Sequence, residues 1–110
     1  MAGGDVPRPG KPVRGSATGR PIMAALDLLG RRWTLRLLWE LRDGPHGPRA
    51  VLARCEGLSS SVLYRRLRDL EEAGLVTREP EGSYRLTELG AELREAIAPL
   101  GSWSERWAKR

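Results

Sequence analysis

Residues 57–76 read GLSSSVLYRRLRDLEEAGLV, and the fold turns on them. At about 100° per residue, Ser60, Ser61, Tyr64, Arg65 and Arg68 fall within one broad arc of a helix. Val62, Leu63, Leu67 and Leu70 fall on the opposite side, with Ala73. Ser59 stands where an N-cap belongs and Gly74 where a helix has just ended, so the spacing predicts a helix over 59–73. Leu75 is then placed to fold back on Leu70. One side of this helix is built for a core. The other presents two hydroxyls, a phenol and two guanidiniums, with Glu71 and Glu72 kept to the end.

Working outward, Gly47-Pro48 opens a short helix that carries Val51, Leu52 and Cys55 and closes at Gly57. On the other side, two short strands are expected at 75–79 and 83–86 around a Pro80-Glu81-Gly82 turn. Tyr84 and Leu86 would face inward, Ser83 and Arg85 outward. Thr87 caps a last helix with Leu89, Leu93, Ile97 and Leu100 along one side, and Pro99 and Gly101 kink or split it. Trp103 and Trp107 lie four residues apart on the final piece. Upstream, Pro21 suits a first helical position, and Ile22, Ala25, Leu26 and Leu29 follow at helical spacing up to Gly30. A second helix is expected over 31–42. Trp33, Leu35, Leu37, Leu38, Trp39 and Leu41 cover most of its circumference, so other helices should enclose it. Helix, turn, helix, two strands: the fold class is mainly α with a small β-hairpin wing, a winged helix-turn-helix over residues 21–110 with terminal helices.

Residues 1–20 contrast with this. Gly and Pro make up eight of the twenty, with four basic residues against one acid. So little apolar surface predicts a flexible basic tail, inert or laid along a phosphate backbone.

The 110-residue chain has one Cys and one His, which leaves no internal disulfide framework and no pair for a His-based zinc site. No Ser–His–Asp order, paired-carboxylate loop, phosphate-binding Gly loop or metal-ligand spacing occurs, so neither an enzyme nor a cofactor is expected. The apolar runs are too short to span a membrane, and a soluble cytoplasmic domain is expected. The net charge is +5, unevenly spread. Residues 31–68 hold nine Arg against three acids; residues 69–110 hold six basic residues against nine acids.

That asymmetry and the polar arc suit double-stranded DNA. A major groove admits one α-helix, whose N-terminal residues meet base edges. Short Ser60 and Ser61 allow close approach; Arg65 or Arg68 can grip guanine with two hydrogen bonds; Tyr64 can meet a phosphate or a thymine methyl. With no Asn or Gln in the chain, adenine cannot be read by a side-chain amide. Arg31 and Arg32 would sit where their charge opposes the dipole of the second helix, which motivates a phosphate role. Arg49, Arg78 and Arg85 are further candidates for phosphate or wing contacts. The bland alternative is a solvated helix face. A second is a winged-helix module that binds a partner protein; a third is a regulator that senses a small-molecule effector or an oxidant. Cys55 reads as a small core hydrophobe, against an exposed, low-pKa sensor thiol. His46 reads as a loop residue.

With these elements laid out, the chain resembles the HxlR family of bacterial winged-helix transcription regulators, relatives of the MarR group. The resemblance is carried by RPIMAALDLLGRRWTLRLLWELRDGP at 20–45, GLSSSVLYRRLRDLEEAGLV at 57–76 and YRLTELG at 84–90. It implies a homodimer on a pseudo-palindromic operator, joined through terminal helices. Three departures stand out. Where members often carry a Cys just before the Pro of the first helix, in some of them a redox sensor, this chain has Arg20. Only EPEGS separates Arg78 from Tyr84, where the family wing is longer and Pro-rich. The position of Arg65 is often Gln in the family, which implies a different base preference.

Overall fold

A computed structural model describes residues 6–110. Six helices and one hairpin follow in the order α1 (Pro21–Leu29), α2 (Thr34–Glu40), α3 (Pro48–Arg54), α4 (Ser60–Glu72), β1 (Val76–Arg78), β2 (Tyr84–Leu86), α5 (Glu88–Ile97) and α6 (Pro99–Ala108). The fold class is as expected, mainly α with a two-stranded antiparallel wing.

Helix α4 forms as its sequence dictates. The Ser59 hydroxyl accepts from Val62 N at 3.2 Å, closing the N-terminus. At the far end Gly74 takes φ +82°, a left-handed conformation that glycine adopts without steric cost. Gly74 N then donates to Glu71 O and Leu75 N to Leu70 O, a Schellman stop that folds the chain back into the hairpin. Leu63, Leu67 and Leu70 are buried; with Leu37, Leu41 and Cys55 they form the centre of the core. The hairpin register is Val76↔Leu86, Thr77↔Arg85, Arg78↔Tyr84. Tyr84 is buried and Arg85 exposed, as the alternation requires. A third, one-residue arm joins the sheet: His46 and Tyr84 exchange backbone hydrogen bonds of 3.0 and 2.9 Å.

The last helical segment splits at Ala98, between α5 and the Pro99 that starts α6. Thr87 locks α5 to the body. Its hydroxyl accepts from Gly90 N at 3.0 Å and donates to Gly74 O at 2.6 Å. Gly90 is required by packing, because a Cβ there would lie 2.1 Å from Leu75 O.

Two expectations are corrected. The second helix does not run over 31–42. It starts at Thr34, because Trp33 has φ +76° and cannot belong to a right-handed helix. Nor is this helix enclosed: Leu37 and Leu38 are buried, whereas Leu35 and Trp39 stand exposed beside α6. The guanidinium of Arg42 lies 4.0 Å over the Trp39 ring and covers part of it instead.

Residues 6–20 lie within the segment expected as a flexible basic tail. Val6 is buried in the core. Gly10 N bonds Gly19 O at 2.9 Å, Val13 and Ser16 bridge, and Arg14 N donates to Asp27 on α1. Residues 6–20 thus form a loop folded onto the body, held by backbone hydrogen bonds, the Val6 anchor, the Asp27 carboxylate and an ion pair of Arg8 with Glu72. Residues 1–5 of the expected tail lie outside the described residues.

Candidate nucleic-acid interface

The core of α4 fixes what its other side must do. With Leu63, Leu67 and Leu70 turned inward, Ser60, Ser61, Tyr64, Arg65 and Arg68 all stand exposed. Tyr64, Arg65 and Arg68 make no hydrogen bond or ion pair among the described residues. Burial pushes the Tyr84 phenol above its usual pKa; Arg78, Glu71, Tyr64 and Arg68 act on it as nearby charges. That list puts the wing arginine Arg78, whose guanidinium carbon lies 5.9 Å from the Tyr84 ring centroid, in one neighbourhood with Tyr64 and Arg68 of the helix.

The second wing arginine is placed differently. Arg85 lies opposite Thr77, hence on the other face of the hairpin from Arg78, and it is ion-paired to Glu79. Arg49 is exposed in the first turn of α3. Arg31 and Arg32 precede α2 rather than open it. Arg31 meets Asp69 of α4 at 3.5 Å. Arg32 is exposed, with its guanidinium carbon 6.0 Å from the Trp33 ring centroid.

The sequence reading passed over two residues that join these parts. Arg66 donates through Nε to the carbonyl of Arg32 at 2.9 Å and through Nη1 to Asp69 Oδ2 at 3.1 Å. Asp69 therefore holds Arg31 and Arg66 together and pins the 31–33 turn against α4. The available signal was the i, i+3 pairing of Arg66 with Asp69 on the flank between the two faces.

Cys55 is buried, and burial pushes its thiol above the usual pKa despite nearby Arg36 and Arg54. A protonated, enclosed thiol is a poor nucleophile. Its neighbour Glu40, also buried, receives Arg36 Nε at 2.9 Å and lies 3.7 Å from Arg54, which ties α2 to α3. His46 faces Asp43 at 3.1 Å. Among the described residues no cluster of His, Cys, Asp and Glu could hold a metal, and no helix is long and apolar enough to cross a membrane.

The model of the HxlR-like helix-turn-helix family matches residues 28–110. An uncharacterized HTH-type transcriptional regulator of Mycobacterium tuberculosis is 40% identical over 100 residues, covering 84% of this chain. The chain spans 61% of the length of that relative. Among solved structures, a possible HxlR family transcriptional factor from Thermoplasma volcanium superposes with a TM-score of 0.71 at 30% identity, over 82% of this chain and 86% of that one. The quinone-bound YodB of Bacillus subtilis gives 0.72 at 29% identity, over 78% and 97%.

Proposed function

The chain belongs to the HxlR-like helix-turn-helix family, and from that premise we propose that it is a sequence-specific, DNA-binding transcriptional regulator acting as a homodimer. Helix α4 enters the major groove, with Ser60, Ser61, Tyr64, Arg65 and Arg68 toward the bases. The hairpin is the wing. Arg31, Arg32, Arg49, Arg78 and Arg85 are the phosphate and wing contacts. The observation that carries this reading is the exposed arc of α4: a phenol and two guanidiniums that no group among the described residues engages, on a helix whose far side faces the core. Arg78 beside that arc supports the wing assignment; Arg85, ion-paired on the other hairpin face, is the weaker member.

The dimer is supported by apolar surface that the chain leaves uncovered. Ile22 and Leu26 of α1, Leu89 of α5, and Leu100, Trp103 and Trp107 of α6 are all exposed. Trp103 and Trp107 stack with ring centroids 5.5 Å apart, a rigid aromatic plate on a helix with no buried residue. Two copies so joined would place their reading helices on half-sites about 34–36 Å apart.

A docking module for a partner protein would want apolar side chains on the exposed arc of α4, which offers only Tyr64. An oxidant sensor built on Cys55 is disfavoured by its burial. Footprinting on the DNA upstream of the chain's own gene tests the proposal. Protection of two symmetric half-sites is expected, weakening steeply with salt as counterions are released. Absence of protection there and on a random operator library would overturn it.

A further inference from the structure

A polar cavity of about 250 Å³ opens beside the first turn of α4, lined by Arg32, Trp33, Gly57, Ser59, Val62 and Arg66. Two of its lining residues are arginines. The Arg32 guanidinium makes no hydrogen bond or ion pair among the described residues; its carbon lies 6.0 Å from the Trp33 ring centroid. Arg66 spends Nε on the Arg32 carbonyl and Nη1 on Asp69, and its Nη2 has no partner among the described residues. Asp69 is shared between Arg66 and Arg31. The 31–33 turn is tied to α4 by Arg66 on the Arg32 carbonyl and by Asp69 on Arg31.

We propose that Arg32 and Arg66 form a socket for a single phosphodiester of the DNA backbone. The chemistry is that of an oxyanion between two guanidiniums, with Ser59 and the N-terminal turn of α4 beside it. The socket lies on the flank of α4, so it would grip a strand at the rim of the groove that the exposed arc reads. Arg66 has two parts: it positions Arg32 through the carbonyl bond and offers Nη2 to the phosphate. This inference rests on the proposal that α4 enters DNA, and it assigns the contact that would fix the helix's register there.

The test is a chemical cycle on the full chain. Single methylphosphonates, which neutralise one phosphate each, are scanned across a duplex that the wild type binds. The wild type should lose about tenfold in affinity at one phosphate per half-site. Arg32→Ala should lose a similar factor on unmodified duplex, with its salt slope lowered by about one, and should be indifferent to the methylphosphonate at that position. Arg66→Lys, which keeps the charge but not the fork, should show the same indifference. Thermal midpoints of both variants confirm that they fold.

If the wild type binds duplex and Arg32→Ala keeps both its salt slope and its methylphosphonate sensitivity, the socket is wrong while the DNA reading stands. If the wild type binds no duplex, the DNA reading itself fails. Inorganic phosphate alone supplies the remaining arm. Arg32-dependent saturation below millimolar phosphate without DNA, followed by phosphorus NMR, would assign the site to a free anion and overturn the backbone contact.

Discussion

Helices α4 and α6 are both amphipathic, and they end in opposite conditions. Helix α4 buries Leu63, Leu67 and Leu70 within its own chain and leaves polar groups outside. Helix α6 has no fully buried residue; Leu100, Trp103 and Trp107 stay about half exposed. The polar side of the first is unengaged and the apolar side of the second is uncovered. A face without a partner is informative in both cases, and its chemistry names what is missing. Guanidiniums and hydroxyls call for an anionic duplex. A stacked pair of tryptophans calls for apolar surface, which a second copy would supply.

The comparison can be broken or sharpened by measurement. The largest effect should come from Leu67→Ala, which opens a cavity in the fully packed side of α4. Unfolding free energy should drop by about 2–5 kcal/mol, read from a urea titration. A loss below about 1 kcal/mol would mean that α4 is not the core helix. Trp103→Ala with Trp107→Ala should leave folding of the isolated chain nearly unchanged yet weaken self-association by about 2–4 kcal/mol, measured by sedimentation equilibrium. Equal losses of folding and association would erase the distinction between the two helices. Arg65→Ala should cost about 1–3 kcal/mol on a cognate site and relax base preference there. The same loss on random DNA would move Arg65 from bases to backbone.

Smaller effects refine the picture. Ser59→Ala removes the cap of α4 and should cost about 1 kcal/mol of folding stability, unless the cavity beside it reorganises to supply another acceptor. The smallest effect is alkaline. Burial raises the thiol of Cys55 and the phenol of Tyr84, so the folded chain holds both protons after the unfolded chain has begun to release them, near pH 9.0 and 10.0 respectively. The folded state then binds more protons, and stability falls as pH rises above the unfolded values. The urea midpoint should decline between pH 8 and 10.5; an invariant midpoint would place both groups in water.

How much was legible in the sequence differs by element for physical reasons. Helix α4 was readable to within a residue because one-sided apolar spacing, Ser59 and Gly74 all agree. Helix α2 was not. Its apolar residues surround the axis, and how many of them are covered depends on which neighbours arrive, which no local pattern encodes. The start of α2 was hidden too, since nothing in Arg31-Arg32-Trp33 marks a left-handed tryptophan. The contacts of residues 6–20 were not legible because they rest on one buried valine, backbone hydrogen bonds and an ion pair between groups 64 residues apart, none of which makes a local pattern. Among the site residues, the arc of α4 was legible as a face. The link from Arg66 and Asp69 to the 31–33 turn was not, because it joins groups 34 residues apart in sequence.

The hydroxyl of Thr87 grips the end of one helix and the beginning of the next, and Gly90 seats the backbone of α5 directly on Leu75. No compliant side chain lies between them to absorb a displacement. If two copies are clasped through their terminal helices, a change in the angle of that clasp is transmitted as through a rigid crank to the C-terminal end of α4. The spacing and tilt at which the pair meets a duplex would then be set from far outside the groove.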